Sequence, residues 1–291
     1  MGRGALVGLV LLGCCQQPVL AEPLPWVLFT MPGVVNLRDG KPHDGLVYEY
    51  LRLLEPHLKE VQVSYELGNL MRLQKNMGEG RNLCSSANLR SPERDRIGYF
   101  IPYLITPPMQ VVVRAETYGR LPLRDGRLWI DDLLAANLRG GFFLQRSYPP
   151  VLEARLSARP LSPSLIAVSI AANADRTLRM LSHQRFDYTF EYPSTVVDYV
   201  RSNPESMPLR SVTLADAADL QVVGSYCTRN AWGRAMALRI DAAVRARLSQ
   251  PEPVLALYRH WLPVESYQAY GAGIEAYLRQ RAEQPLSLPA P

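Results

Sequence analysis

Residues 45–67, GLVYEYLRLLEPHLKEVQVSYEL, change their hydrophobic period halfway. In the first part Leu46, Val47, Tyr50, Leu51 and Leu54 recur at the spacing that lines up apolar side chains along one stripe of a helix. In the last part, Val61 to Leu67, apolar and polar residues alternate, as they do in a strand with one face covered. Working outward, WVLFT (26–30) reads as a strand before this pair. NLMRLQKNM (69–77) reads as a short helix after it, stopped by Gly78, and RNLCSS (81–86) as a further strand. Strands alternating with helices in this way build a parallel sheet with helices on its faces, so the N-terminal region is an α/β lobe.

The pattern breaks at TPP (106–108), and MQVVVRAE (109–116) reads as an extended crossing. A second set then begins. Helices are expected over 130–138, 149–158, 174–184 and 194–202, and strands over 140–145, 165–172 and 185–193. LQVVGSYCT (220–228) is one more strand, and helices over 231–248 and 265–281 close the chain. The fold class is therefore α/β in two lobes, with a cleft between them suited to ligand capture by closure.

A chain of 291 residues has room for two such lobes, and its 47% hydrophobic and 20% charged content is that of a foldable body. The formal charge is +5, but the basic residues are scattered, nearly all Arg, and form no run interleaved with aromatics, which argues against nucleic acid as a partner. Residues 1–21 carry Arg3, an apolar run from Ala5 to Leu12 and Val19-Leu20-Ala21, the layout of a secretory signal cleaved after Ala21. The alternative is a lipoprotein box, LLGC, with Cys14 lipidated. Beyond Ala21 only Cys84 and Cys227 remain, either bridged in an exported protein or separately buried. His43, His57, His183 and His260 show no metal-ligand spacing, and there is no Gly-x-Ser-x-Gly and no Walker loop. No enzyme activity and no cofactor are expected.

Four places in order resemble the type II periplasmic substrate-binding proteins, the family-3 solute receptors that include polar amino acid binders. HDGLVYEYLRLL (43–54) is similar to their first helix after the opening glycine. SPERDRIGYFIPY (91–103) resembles their Thr-x-x-Arg turn and the entry into the hinge. GGFFLQRSY (140–148) is similar to the strand and anion-binding turn of their second lobe, and HQRFDYTFEYP (183–193) to their Gly-Arg-x-Asp-Ala strand. The resemblance implies a periplasmic, monomeric, bilobal protein. Lobe 1 would hold residues 22–112 and 215–291, and lobe 2 residues 113–214. The ligand would be a small anionic or zwitterionic molecule, and the partner an ABC permease or a membrane sensor. The alternatives are an envelope protein-interaction module on the same fold without small-molecule binding and, behind it, an enzyme on that scaffold. The resemblance also implies that the returning strand lies beside the third strand, which brings Cys227 to Cys84.

The same resemblance nominates site residues. Arg94 takes the place of the arginine that grips a ligand carboxylate, with Ser91 at the threonine place. A guanidinium suits this role because its planar fork meets two oxygens at once. The competing reading is a solvated knot of ion pairs capped by Ser91. Ser147 and Tyr148 stand where the second lobe would offer backbone N–H groups, with Arg146 beside them. Tyr192 stands where amino acid receptors place an aspartate for the ligand ammonium, with Glu191 next to it; alternation aims one of the two into the cleft. Trp26, Phe29 and Tyr103 would either wall the cleft or pack the core, and Arg114 with Glu116 would either touch ligand or pair across the hinge.

Overall fold

The computed structural model describes residues 21–143, 148–157, 164–168 and 174–288. The expected signal peptide with its cleavage site and Cys14, and the candidates Arg146 and Ser147, lie outside or at the edge of these residues.

The chain enters through β1 (Glu22–Leu28), the hairpin β2 (Asn36–Arg38) and β3 (Lys41–Asp44), α1 (Leu46–Leu54), β4 (Val61–Leu67) and α2 (Leu70–Gly78). Short strands β5 (Cys84–Ser85) and β6 (Asn88–Leu89), the single turn α3 (Pro92–Asp95) and the long β7 (Gly98–Thr106) follow. The second set is β8 (Gln110–Arg114), α4 (Ile130–Ala135), β9 (Gly140–Phe143), α5 (Pro150–Leu156), β10 (Leu165–Val168), α6 (Ala174–Ser182), β11 (Tyr188–Glu191), α7 (Pro193–Ser202) and β12 (Leu209–Val212). The chain then returns through β13 (Gln221–Thr228) and ends in α8 (Ala231–Leu248), α9 (Glu252–Trp261) and α10 (Val264–Glu283).

Two sheets result. One runs β4-β1-β5-β13-β6 with β7 also on β13; the other runs β10-β9-β11-β8-β12. The five stripe residues of α1 are all buried against the first sheet. The stretch 109–116, expected to be a crossing, is β8, a central strand of the second sheet between β11 and β12. Val111, Val112 and Val113 are buried on both faces, so no alternation marks them as a strand. The change of sheet therefore falls between Thr106 and Gln110, before the expected 112/113 boundary, where Pro107 and Pro108 lack the N–H that a ladder needs. Helix α9 and the β2–β3 hairpin are further additions that the periodicity left unread.

Strand β13 is antiparallel to β5, β6 and β7. Cys227 sits opposite Cys84 and the two form a disulfide across 143 residues. The C-terminal helices are pinned by a buried pair, Arg281 with Asp241, in which Arg281 also donates to Pro102 O at 2.8 Å on β7.

The lobes touch beside the cleft. The Thr195 hydroxyl donates to Pro32 O at 2.9 Å, and the Gln110 side chain accepts from Ser266 at 2.7 Å. The Asn36 amide donates to both Asp44 at 2.7 Å in lobe 1 and Asp198 at 2.6 Å in lobe 2. Arg201 of α7 lies 4.9 Å over the Trp261 ring and donates to His260 Nε2 at 2.8 Å. Gly33 has φ +74°, and a Cβ there would stand 2.1 Å from Ser194 O of the opposite lobe. Only glycine allows this approach.

Three outcomes follow from these contacts. Replacing both Cys84 and Cys227 by Ser should lower Tm by about 5–15 °C in calorimetry, since closing so long a loop contributes up to about 5 kcal/mol in the chain-entropy model; an unchanged Tm would remove the bridge from the account. Gly33→Ala should push the lobes apart, read as a larger radius of gyration in small-angle scattering and weaker ligand binding. The third concerns pH. Burial pushes the Asp198 carboxyl above its ordinary value, against the Asn36 hydrogen bond and with help from the Asp44 charge. A carboxyl raised on folding stabilises the folded form while protonated, so this contribution is full below the unfolded value of about 4 and is lost as pH rises through the raised value. Asp198→Asn should therefore raise Tm by a few degrees at neutral pH, with the gap closing towards roughly pH 4; a lower Tm at neutral pH would show that the charge is favourable there.

Candidate functional site

The three arginines of the 90–96 turn have different surroundings. Ser91 is the N-cap of α3, its hydroxyl accepting from Arg94 N at 3.3 Å, and Pro92 supplies the fixed φ of the first helical position. Asp95 takes Arg90 at 2.9 Å and the Tyr226 hydroxyl at 2.7 Å, while the Ser91 N–H donates to Tyr226 at 3.1 Å. Burial pushes the Tyr226 phenol up to about 12, with the neighbouring Asp95 charge adding to it, so the ring keeps its proton and donates at neutral pH. The turn is thus tied to β13 one residue from the disulfide. Arg90 also lies 5.9 Å over the Phe100 ring, and Arg96 is exposed. Arg94 differs: its guanidinium donates once, to Leu89 O at 2.8 Å, and among the described residues it has no ion pair. Most of its five donors remain for something else.

Arg94 stands in the wall of a cavity of about 390 Å³ between the lobes. Lobe 1 lines it with Phe29 and Met31 after β1, Val34, Leu46 and Val47 at the start of α1, Leu70, Leu89, Leu104, Ile105 and Val223. Asn88, Thr106 and Gln221 add neutral polar groups, and lobe 2 contributes Tyr192 and Ser194. Arg94 is the one charged side chain among these lining residues. The Gln221 Oε1 is buried and has no hydrogen-bond partner among the described residues. The Asn88 amide is spent on Ser85 Oγ at 2.6 Å and Ser86 O at 2.7 Å, which holds the loop beneath Arg94 in place.

The sequence candidates divide. Arg94, Phe29 and Tyr192 line the cavity. Ser91 does not; it positions Arg94 through the cap. Trp26 and Tyr103 belong to the lobe 1 core, fully buried, with Trp26 Nε1 donating to Ser85 O at 2.8 Å and Ser225 Oγ at 3.1 Å, and the Tyr103 hydroxyl accepting from Ala87 N at 2.9 Å. Both are large amphipathic rings whose polar tips found partners inside the core. Glu191 is buried in lobe 2 and its carboxylate accepts from Tyr192 N at 2.9 Å, so alternation turns Tyr192, not Glu191, to the cavity. Tyr148 folds back onto lobe 2, its hydroxyl accepting from Phe143 N at 2.8 Å, and its own N–H donates to Glu153 at 3.1 Å. The Tyr148 N–H, one of the donors expected for a ligand anion, is thus taken by a carboxylate of this chain. Arg114 is buried, holding Leu181 O at 2.9 Å, Phe186 O at 2.8 Å and Glu116 at 2.8 Å; it is a strut of lobe 2. Its partner Asp187 is pushed up by burial, but the Arg139 N–H and the Arg139 and Arg120 charges outweigh this and hold it below the usual carboxylate range.

Sequence reasoning missed Gln221, Asn88, Thr106 and the apolar wall of Val34, Leu46 and Val47. The α1 stripe was visible but reads as core; nothing in its spacing tells a residue at the rim of a core from one inside it. No group of three or more His, Cys, Asp or Glu that could hold a metal occurs among the described residues, and no described helix is long and apolar enough to cross a membrane.

No protein-family model and no curated protein matches the chain. Solved structures do. The probable amino-acid ABC transporter extracellular-binding protein ytmK from Bacillus subtilis aligns with a TM-score of 0.63 at 15% identity, over 84% of this chain and 99% of that one. An ancestral cationic amino acid solute-binding protein aligns at 0.62 and 12% identity, over 84% and 97%. A histidine kinase sensor domain with similarity to periplasmic binding proteins aligns at 0.56 and 17% identity, over 84% and 98%. With its two sheets, its return through β13 and its interlobe cavity, the chain has the two-lobe fold of the type II periplasmic binding proteins.

Proposed function

We propose that this chain is an exported solute-binding protein that captures a small ligand bearing an anionic group between its lobes, for ABC-type import or for sensing. One observation carries the reading: an arginine that has no ion pair among the described residues stands in the wall of an interlobe cavity. The cavity is of the size that encloses a small metabolite. Solute-binding components of importers and a kinase sensor domain both appear among the structural neighbours, which supports capture and leaves delivery to either kind of membrane partner. The leader-like residues 1–21 and the single Cys84–Cys227 bridge support a periplasmic location. Binding is favoured over catalysis because none of the four histidines, and no carboxylate, lines the cavity.

The test is a thermal-shift screen of the mature chain against amino acids, peptides, sugars and organic acids, followed by calorimetric titration. An anionic solute should raise Tm, and Arg94→Ala should weaken its binding about 10- to 100-fold, the value of a charge-assisted fork of about 1.5–3 kcal/mol. A bound solute indifferent to Arg94→Ala would move the site elsewhere.

A further inference from the structure

From the same cavity, and resting on the capture reading above, we infer the ligand class: a monocarboxylate with an apolar aliphatic or aromatic body and no ammonium group, such as a branched-chain or aryl 2-oxo acid or its deoxy counterpart, in preference to the matching amino acid.

The charge inventory of the cavity supports this. Among the described lining residues Arg94 is the one charged side chain, and the polar residues Asn88, Thr106, Ser194 and Gln221 are neutral. The undescribed residues 1–20, 144–147, 158–163, 169–173 and 289–291 contain no Asp and no Glu, so every carboxylate side chain of the protein lies within the described residues. None lines the cavity. The nearest in sequence are committed elsewhere: Glu191 to the Tyr192 N–H in lobe 2, and Asp95 to Arg90 and Tyr226 behind the turn. Lobe 2 presents Tyr192 and Ser194 to the cavity, a phenol and a small hydroxyl residue. A bound ammonium would leave water without a countercharge, which costs far more than hydrogen bonds to neutral oxygens return. A carboxylate meets the Arg94 fork, and among the described lining residues Arg94 is the one cation available to hold such a group.

The body of the ligand is set by the rest of the wall. Phe29, Met31, Val34, Val47, Leu104 and Ile105 give a continuous apolar surface on the lobe 1 side. A hydrophilic chain would lose its hydration there without replacement, whereas an alkyl or aryl group loses nothing it needs. Oxygen substituents at the 2-position are compatible with the neutral donors and acceptors at the rear of the cavity, Thr106 and Gln221, which face each other in register on β7 and β13.

Calorimetric titration of matched pairs tests the class: 3-phenylpropionate and phenylpyruvate against phenylalanine, and 4-methyl-2-oxopentanoate against leucine, with 3-phenylpropionamide as the uncharged control. Each acid should bind at least about 10-fold tighter than its amino acid and than the amide, with the preference for acid over amide lost in Arg94→Gln. An amino acid that binds as tightly as its deaminated partner overturns the ligand class and leaves solute capture standing. So does a hydrophilic solute, such as a basic amino acid or a sugar, that binds while both acid series fail. If no solute of any kind binds or shifts Tm in a protein that melts cooperatively, solute capture itself is overturned along with the class.

Discussion

The return of the chain through β13 is the constraint on which the rest of this structure depends. Having left the first sheet at Pro107 and built a second one, the chain must place eight residues, Gln221–Thr228, into the interior of a sheet whose other strands came before residue 107. Those residues pair with β5, β6 and β7 at once. Without them β1 and β4 have no link to β7, the tyrosine that holds the arginine turn is missing, and α8 loses one of the two strands it covers. Each strand pair so formed is non-local, and loop closure is costly before such contacts form. The Cys84–Cys227 bridge acts at this join. It restricts the unfolded chain at the point where the native topology demands the longest closure.

The same strand organises the electrostatics. Residues 90–96 hold three arginines and two acids in seven positions. On an unstructured turn these would exchange partners freely, and exposed pairs of this kind contribute little. Tyr226 breaks the symmetry. Its protonated phenol fixes Asp95, Asp95 fixes Arg90, and Ser91 caps the first turn, so one of the two acids is consumed on the face toward β13 while Glu93 stays exposed. Arg94 is left on the cavity side, its guanidinium donating to the Leu89 carbonyl. A cation in a partly apolar wall is unfavourable unless something completes it, and the proposed selectivity for an anionic group rests on that imbalance.

How much of this the sequence carried depends on the physical signal at each place. Helix α1 and strand β4 were legible because one face of each is covered, so period reports orientation directly. Strand β8 was not, because a strand covered on both faces is uniformly apolar and its three valines look the same as an extended linker. The cysteine pairing was reached through resemblance, and the register of β13 on β5 gives its geometric reason. At the site, Arg94 was likewise reached through the resemblance, since by its own sequence it reads as one member of a solvated ion-pair knot. Trp26 and Tyr103 were not separable from cleft aromatics, since whether a ring's polar tip meets Ser225 or a ligand is decided by residues some 200 positions or a whole strand away. Gln221 and Asn88 carried no sequence signal at all, being ordinary neutral residues made important only by where β13 and β6 place them.

The interlobe contacts bear on how such a cleft closes. On one flank the contact is backbone against backbone, Gly33 on Ser194, which is indifferent to pH and salt. Close by, a single Asn36 amide is shared by Asp44 and Asp198, one carboxylate from each lobe. Two like charges converging on one donor oppose closure while both are ionised. Burial raises the Asp198 carboxyl, so protonation there relieves the opposition that the single shared amide leaves. A closed state with a built-in opposition of this kind is weakly held when empty. Under the proposed capture function, ligand binding would change the population of closed molecules, and a membrane partner that reads the closed shape would receive a signal that depends on occupancy.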